Sequence, residues 1–427
     1  MQVYKFGGAS IKNAEAIRNV GNILQCFKDD QLVIVISAIG QTTNKLVALT
    51  NAYLNLQPDV HDLLEEIKAD HFLILQDLFP THNHRVFDDI SNTFVEIEWL
   101  LEEEPADTPD YIYDQIVSIG EVVSSKILAA YLSEIGCLST WADARNYIKT
   151  DNNYREANVD WHKTELEMKK TLPALLSKGF VITQGFIGGT SENFTTTLGR
   201  EGSDYSAAIF SACLNATALT IWKDVPGVLN ADPKWFERTE KIPELSYHDA
   251  IELTYYGATV IHPKTIKPLQ NHNIPLFVRS FLEPTEPGTR ISSAAAPVSI
   301  PSFIFKVNQV LISIMPKDLS FIIEENLSDI FRIFHGYRVK VNTMHNSAVS
   351  FSISADYEET EIKKLIAELS NKYHIKYNTG VELVTIRYYN QSTIDRVTLN
   401  KDILLEIKSR HTAQLLMKNK PGTALSI

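Results

Sequence analysis

The chain has 427 residues, of which 44% are hydrophobic and 22% are charged, and its formal net charge at pH 7 is −12. This composition is typical of a water-soluble globular protein that is long enough for two or more domains. The acidic balance argues against nucleic acid or an anionic membrane surface as a partner, because both require a basic face.

A strand, a glycine turn, a helix and a second strand follow one another at the start of the chain. The first strand is predicted at 3–6 and ends in Gly7 and Gly8. Apolar residues at helical spacing come next, and a wholly apolar strand is predicted at 32–36. This order of elements is typical of an α/β fold.

The middle of the chain combines helices with short strands. Apolar residues recur at helical spacing within 58–104, which we interpret as a helical insertion with a solvated acidic end. A helix is predicted at 113–132, and strands are predicted at 180–183 and 219–222. The stretch 188–206, between these strands, is the part of the chain richest in small and polar residues.

Residues 292–302 form the clearest linker, and they divide the chain into predicted domains at 1–292 and 303–427. In the second domain, strands and helices follow in the order βαββαβ, which is typical of a small ferredoxin-like ligand-sensing module. Only about 40 residues remain after Arg387, and they lack the helices of a second full module. We therefore expect one nearly complete module and one abbreviated module.

Three stretches carry residues suited to chemistry on anions. In the first, Lys5 precedes Gly7 and Gly8, whose backbone amides could approach a phosphate closely while the lysine supplies the counter-charge. The stretch matches neither a P-loop nor a complete Rossmann fingerprint. Taken alone, a glycine pair after a strand is more often a simple turn.

The second stretch, 196–208, combines two glycines with Arg200, Ser203 and Asp204. Arg200 could bind a carboxylate through two hydrogen bonds, and Asp204 could orient a lysine or a metal. A helix that begins here would direct its N-terminal amides at an anion. Ser203 or Asp204 could instead be only an N-cap, but a cap does not explain the arginine and the glycines.

The third stretch, 221–233, is a strand followed by two turns that contain Asp224, Gly227 and Asp232, with Lys223 at the end of the strand. Loops at the carboxyl ends of strands bind nucleotides in α/β folds. By spacing alone, an ordinary turn is the simpler interpretation.

Together and in this order, the motifs resemble those of aspartate kinases in the amino acid kinase superfamily. The resemblance rests on KFGGAS at 5–10, TTLGREGSDYSAA at 196–208, IWKDVPGVLNADP at 221–233, YGATVIHP at 256–263 and IPLFVR at 274–279. The tail resembles the ACT domains that follow the catalytic domain in this family.

This resemblance implies a three-layer αβα catalytic domain with a mainly parallel sheet, followed by an α+β ACT-like region. It also implies the ATP-dependent phosphorylation of the β-carboxylate of L-aspartate by direct in-line transfer, the first step toward lysine, threonine and methionine. Mg²⁺ would be carried by ATP and not by a metal site of the protein. A homodimer or a higher homo-oligomer is expected.

The resemblance further implies roles for individual residues. Lys5 would stabilise charge on the transferring phosphoryl group, and Asp204 would hold the lysine in place and help to organise the Mg-nucleotide. Five residues would bind aspartate: Arg200 at its α-carboxylate, Glu121 at its α-amino group, and Ser37, Thr43 and Ser203 in its pocket. Six residues would bind the nucleotide: Gly7, Gly8, Lys223, Asp224, Gly227 and Asp232.

Four positions depart from the family pattern. Ala9 replaces a usual threonine, Glu201 replaces a common glycine, and Thr259 stands where many relatives have a lysine that reaches the nucleotide phosphates. Lys223 stands where a threonine is usual. We therefore hypothesise that Lys223 supplies the positive charge that is missing at Thr259.

The tail departs from the pattern as well. The glycine-rich effector loop is replaced by 324–327, and Lys340 stands where lysine-sensitive relatives have an acidic residue that contacts the effector's ammonium group. A lysine at this position would repel a cationic effector. The expected result is weak or absent inhibition by lysine.

Two alternatives to an aspartate kinase stay open. One is a kinase for another acceptor, such as glutamate, N-acetylglutamate, carbamate or UMP, although those relatives usually lack this combination of motifs. The other is a non-catalytic amino-acid-sensing homologue, which Ala9, Thr259 and the abbreviated tail favour. Against it, the charged residues of the predicted site are all present.

The compartment is predicted from the cysteines and the N-terminus. Cys26, Cys137 and Cys213 lie far apart, which excludes a zinc ribbon or a disulfide scaffold and fits a reducing environment. The opening MQVYKFGGAS has no secretory-signal pattern, and apolar runs such as 32–36 are short for a membrane span. We expect a cytoplasmic protein.

Overall fold

The computed structural model describes residues 1–81, 84–236, 238–258, 261–295, 300–318 and 320–420. These residues form two compact units, each of which is assembled from separate segments of the chain. The described residues of the first unit come from 1–228, 243–251 and 261–295, and those of the second come from 229–242, 252–258 and 300–420.

Ten strands belong to the first unit: β1 Gln2–Phe6, β2 Leu32–Ile36, β3 Ser139–Trp141, β4 Phe180–Gln184, β5 Ile187–Gly189, β6 Thr195–Thr197, β7 Leu219–Lys223, β8 Glu244–Ser246, β9 Leu276–Ser280 and β10 Thr289–Ser292. Eight of them form one sheet in the order β3-β4-β2-β1-β7-β9-β10-β8, and β5 pairs with β6. All neighbours in the large sheet are parallel except β9 and β10. β2 is buried along its whole length, as expected for a central parallel strand.

Eight helices surround this sheet: α1 Ala14–Gln25, α2 Thr42–Leu54, α3 Val60–Leu78, α4 Val86–Leu101, α5 Pro109–Glu134, α6 Trp161–Leu176, α7 Gly202–Cys213 and α9 Pro263–Asn271. A further helix, α8 Tyr247–Tyr256, begins in the first unit and ends in the second. Helices α3 and α4 occupy the predicted insertion at 58–104.

The sheet has a helical layer on each face. Tyr4 and Phe6 pack into a core with apolar side chains of α1 to α5. Because successive side chains of a strand point to opposite faces, Val3 and Lys5 point to the other side, where α7 contacts β1 and β2. The predicted αβα fold with a mainly parallel sheet is confirmed.

The second unit contains one antiparallel sheet. Its strands are β11 Ser302–Pro316, β12 Val341–Asn346, β13 Phe351–Asp356, β14 Tyr373–Arg387, β15 Lys401–Lys408 and β16 Thr412–Asn419, in the order β12-β13-β11-β14-β16-β15. Its helices are α10 Glu324–Gly336, α11 Glu359–Leu369 and α12 Gln391–Thr398. The elements from β11 to β14 follow the predicted βαββαβ order.

The long strands β11 and β14 each serve two modules. Their pairing shifts register between Lys306 and Leu311. Strand β13 pairs with Gln309–Ile314 of β11, and β16 pairs with Glu382–Arg387 of β14, so the two halves of the long strands have different neighbours. After Arg387, the described residues contain one helix, α12, together with β15 and β16. The expectation that helices are lacking there thus misses α12, because its eight residues give only a short apolar pattern.

One helix of the described residues, α5, is long and apolar enough to cross a membrane by length and composition alone. Of its most apolar window, 78% is buried inside the fold, as in the core helix of a soluble protein. The expectation that uninterrupted apolar runs are short holds for β2 and for α5, whose apolar stretches are broken by polar residues such as Glu121 and Lys126.

Candidate active site

An ion pair lies at the end of β1. Lys5 is opposite Val35 of β2 and Ile221 of β7, in the middle of the sheet. Its Nζ lies 2.7 Å from Oδ1 of Asp204, which belongs to the first turn of α7. Both side chains are largely shielded from solvent, with exposed fractions of 11% and 6%. The parallel sheet therefore fixes the lysine, and the helix N-terminus fixes the carboxylate.

The Asp204 carboxylate stays ionised although it is buried. Burial raises the pKa of this carboxyl, but the charges of Lys5 and Lys223 outweigh that effect, so its pKa lies below the ordinary value. Two lysines from two adjacent strands thus act on one carboxylate. This arrangement concentrates positive charge where β1 and β7 end, as phosphate binding requires.

The glycine turn after β1 packs against the turn after β2. A Cβ on Gly8 would lie 2.8 Å from the carbonyl oxygen of Ala38, and a Cβ on Gly7 would lie 3.3 Å from Nζ of Lys5. The backbone N–H of Gly40 donates to the carbonyl of Gly8 at 3.2 Å. Only glycine at position 8 permits this approach of the two backbones.

Ala9 has no side-chain hydroxyl, but the next residue, Ser10, has one. Ala9 is exposed and Ser10 is buried. The hydroxyl of Ser10 donates to the carbonyl of Gly7 at 2.6 Å and closes the turn. The geometry of the glycine turn therefore does not require a threonine at position 9.

Glu121 lies in the middle of α5, close to the ion pair. The neighbouring Gly120 lets α5 pack closely against the loop after β2, since a Cβ there would lie 3.2 Å from Cβ of Ala38. Burial raises the pKa of the Glu121 carboxyl to about 8, although the Ala38 amide, the charge of Lys5 and the Ser203 hydroxyl all lower it. The Ser203 hydroxyl lies 3.3 Å from Oε2 of Glu121. The carboxyl group is therefore short of positive partners, and a bound ammonium group would supply one.

Ser37 and Thr43 flank the loop after β2, and both are half-buried. The backbone N–H of Ser37 donates to the carbonyl of Phe6 at 3.2 Å, which links the ends of β1 and β2. Thr43 lies in the first turn of α2. Among the described residues, neither side chain forms a hydrogen bond with Lys5 or Asp204, so their place in a substrate pocket remains a prediction.

Arg200 is exposed on the loop before α7. Glu201, between Arg200 and the helix, has a left-handed backbone with φ of 54°, a conformation that favours the glycine common in relatives. The structure brings Lys5, Asp204, Glu121 and Ser203 together, and it leaves the Arg200 side chain open to solvent.

The loop after β7 divides between the two units. Lys223 and Asp224 lie at the end of β7, half-buried and exposed respectively. Gly227 is buried with φ of +148°, and a Cβ there would lie 2.5 Å from Oγ1 of Thr289, so glycine is required. Asp232 is exposed in the second unit, where its carboxylate accepts from the backbone N–H of Lys234 at 2.9 Å. Thr259, the proposed counterpart of Lys223, lies outside the described residues.

Two residues that support the site were not predicted. Ser124, one turn after Glu121 on α5, donates to the carbonyl of Ser37 at 2.7 Å. His71 of α3 is buried, and its Nδ1 lies 2.7 Å from the carbonyl of Ile67. Because Nδ1 donates to that carbonyl, Nε2 accepts a hydrogen bond from the hydroxyl of Thr42, 3.3 Å away at the start of α2. Ser124 is three residues after Glu121, and this helical spacing could have indicated that both lie on one face of α5. No sequence pattern indicates the contact between His71 and Thr42.

Comparisons with known proteins agree with this geometry. Residues 1–280 match the model of the amino acid kinase family. The chain is 31% identical over 395 residues to lysine-sensitive aspartokinase 3 of Escherichia coli, covering 90% of this chain and 86% of that protein.

Two solved structures of E. coli aspartokinase III are similar over nearly the whole chain. The first, in complex with lysine and aspartate, has a TM-score of 0.83 at 28% identity, covering 97% of this chain and 95% of that one. The second, in complex with aspartate and ADP, has a TM-score of 0.80 at 28% identity, covering 98% and 96%.

Proposed function

The chain belongs to the amino acid kinase family, among its aspartokinases, and we propose that it transfers the γ-phosphoryl group of ATP to the β-carboxylate of L-aspartate. One observation carries this proposal. The buried pair of Lys5 and Asp204 lies beside Glu121, a buried carboxyl that forms no ion pair of its own with a described residue. A phosphate-binding cation and an ammonium-binding acid are thus within one site.

The substrate has two carboxylates and one ammonium group, and the site offers a partner for each. Glu121 binds the α-ammonium group, and the buried Ser203 hydroxyl lies next to it. The exposed guanidinium of Arg200 binds the α-carboxylate through two hydrogen bonds. Ser37 and Thr43 line the remaining side of the pocket. The β-carboxylate is left to face Lys5.

The transfer is a direct displacement at the γ-phosphorus. An oxygen of the β-carboxylate attacks that phosphorus, the bond to the β–γ bridging oxygen breaks, and ADP leaves with the electron pair. The products are 4-phospho-L-aspartate and ADP, without a covalent enzyme intermediate. Lys5 stabilises the charge on the transferring oxygens, and the amides at Gly7 and Gly8 bind the phosphates.

Mg²⁺ enters this site with the nucleotide. Among the described residues, no group of three or more His, Cys, Asp or Glu side chains is arranged to hold a metal ion. The carboxylate at the site, Asp204, is already paired with Lys5. When bound, the ion would neutralise charge on the β- and γ-phosphates, and Lys223, Asp224, Gly227 and Asp232 would hold the rest of the nucleotide.

The wider role follows from the reaction. We place the enzyme in the cytoplasm, as the first step toward lysine, threonine and methionine, and we propose a homodimer or a higher homo-oligomer. Nucleic acid and membrane surfaces are not expected partners, since the net charge is −12.

The test is aspartate-dependent release of ADP, with the acyl phosphate trapped by hydroxylamine as the hydroxamate. We expect release with ATP and L-aspartate, and none with glutamate, N-acetylglutamate, carbamate or UMP as the acceptor. Release with one of those acceptors alone would identify a different amino acid kinase. A folded protein that binds aspartate but releases no ADP would be the non-catalytic sensing homologue.

A further inference from the structure

A cavity of about 430 Å³ lies between α6, α7 and α9 of the first unit. Its volume is within the range of small-molecule binding sites. None of its lining residues belongs to the candidate active site, and the mechanism uses none of them.

Two aromatic side chains form adjacent walls of this cavity. Trp161 begins α6 and is 39% exposed, and Tyr205 lies in the first turn of α7. Their ring centroids are 6.4 Å apart with planes inclined at 70°. A flat ring can stack on one wall while it meets the other edge-to-face, which are the favoured geometries of aromatic pairs.

The lining contributed by α9 is positively charged. Lys264 and Lys267 lie three residues apart on α9, so their side chains project from the same face of the helix. Both are exposed, and neither ammonium group forms an ion pair with a described residue. The acid of the lining, Glu165, is already paired with Lys169. The cavity therefore offers two uncompensated cations beside two aromatic rings.

We propose that this cavity is a binding site for a small aromatic carboxylate. The ring of the ligand contacts Trp161 and Tyr205, and its carboxylate pairs with Lys264 and Lys267. His272, also in the lining, is exposed at the end of α9. An aliphatic anion would leave the aromatic walls without a partner, and a neutral ring would leave the lysines without one.

The test uses naphthalene-1-carboxylate as the probe and ligand-observed NMR as the measurement. Saturating ADP and L-aspartate are present, so that any affinity of the probe for the active site does not contribute. We expect a Kd on the order of 1 mM, from the affinity typical of a ligand of this size. Naphthalene-1-carboxamide, which has no charge, and cyclohexanecarboxylate, which has no aromatic ring, should each bind at least about tenfold more weakly.

Variants locate the binding. The double substitution Lys264→Gln and Lys267→Gln should weaken probe binding at least about tenfold, and Trp161→Ala should weaken it as well. The matched control, Lys163→Gln with Lys170→Gln, removes two exposed lysines of α6 that do not line the cavity and should leave the Kd unchanged.

Three results would overturn the proposal: no binding up to 10 mM, an equal loss in the control variant, or equal binding of naphthalene-1-carboxylate and its uncharged carboxamide. All three leave the kinase assay untouched, so failure here is distinct from failure of the proposed function.

Discussion

Both units bury a lysine near an acid, but they leave the charged groups in different states. In the first unit, Lys5 pairs with Asp204, while burial holds the pKa of the neighbouring Glu121 at about 8. In the second unit, the half-buried Lys306 donates to the side-chain oxygen of Asn342 at 2.7 Å. In the first unit, the carboxyl of Glu121 has no ion-pair partner among the described residues. In the second unit, Asn342 belongs to a network of side chains that hydrogen-bond to one another.

The closed set lies where β11, β12 and β13 meet. The side-chain amide of Asn342 donates to Oε1 of Gln309 at 2.8 Å and to Oδ1 of Asp356 at 2.9 Å. Gln309 in turn donates to the same Asp356 oxygen at 2.6 Å and accepts from Ser354 at 3.1 Å. Every one of these side chains has a partner within the network, as buried polar groups in stable cores do.

The difference separates a functional site from a structural network. A fully bonded network stabilises the fold and leaves nothing for a ligand to satisfy. A buried carboxyl with a strongly raised pKa costs stability, and such groups cluster at functional sites because a ligand supplies the missing partner. Removing a lysine should therefore abolish activity in the first unit and only destabilise the second.

The largest expected effect is at Lys5. Lys5→Ala should lower kcat by roughly 10²- to 10³-fold, because it removes charge stabilisation from the transferring phosphoryl group. The matched control is Lys306→Met, which should leave kcat within about twofold and lower the free energy of unfolding by about 1–3 kcal/mol, since Asn342 loses its donor. Steady-state kinetics and urea unfolding of both variants provide the comparison. A comparable loss of kcat in both variants would remove the distinction between the two networks.

The second effect is at Glu121. Glu121→Gln should raise the KM for aspartate about 10- to 100-fold and leave the KM for ATP unchanged, because a neutral amide cannot pair with the α-ammonium group. If instead the KM for ATP rose, Glu121 would not be an aspartate ligand.

The same substitution alters how stability depends on pH. Since the pKa of Glu121 is raised in the folded protein, the unfolded state binds fewer protons between about pH 4.5 and pH 8. Folding stability should therefore fall as the pH rises through this window, by up to about 1.4 kcal/mol per pH unit. Thermal unfolding of Glu121→Gln should show a smaller decline than the wild type over this range. If the stability of both proteins declined equally between pH 4.5 and pH 8, the raised pKa of Glu121 would be contradicted.

A smaller effect is expected at Lys223. Lys223→Ala should raise the KM for ATP several-fold, because the lysine that acts on Asp204 also supplies charge to the nucleotide. Adding Thr259→Lys to this variant should restore part of the loss. An unchanged KM for ATP in Lys223→Ala would rule out the compensation.

The smallest effect is expected from lysine itself. Lys340 is exposed in the second unit, where its charge would repel a cationic effector. Activity should change by less than about twofold across micromolar to millimolar lysine, a range over which electrostatic repulsion leaves the effector unbound. Steep inhibition in this range would contradict the role given to Lys340, and Lys340→Asp should be more sensitive than the wild type.

Local patterns predicted much of the fold and of the site. The apolar run at 32–36 and the glycine pair at the end of β1 are patterns of neighbouring residues. The positions of β1 and β2 along the chain could therefore be predicted from the sequence. Trp222, in the apolar run of β7, is buried and stacks on Phe6 with ring centroids 5.7 Å apart.

Contacts between distant parts of the chain could not be derived. Ser203 reaches Glu121 across 82 residues, and the pKa of that carboxyl depends on burial by several elements at once. Lys223 and Asp232 are close in sequence, yet they belong to different units, because 229–242 packs with the second unit. Such assignments follow from tertiary packing, for which a single sequence has no local signal.

Proton release on aspartate binding tests the central claim most directly. At pH 7 a carboxyl with a pKa of about 8 is mostly protonated, and it must ionise to pair with an ammonium group. Calorimetric titration of aspartate in buffers of different ionisation enthalpy should therefore show release of roughly one proton per aspartate at pH 7 and clearly less at pH 9. Glu121→Gln should show none. Binding without proton release at pH 7 in the wild type would contradict the account.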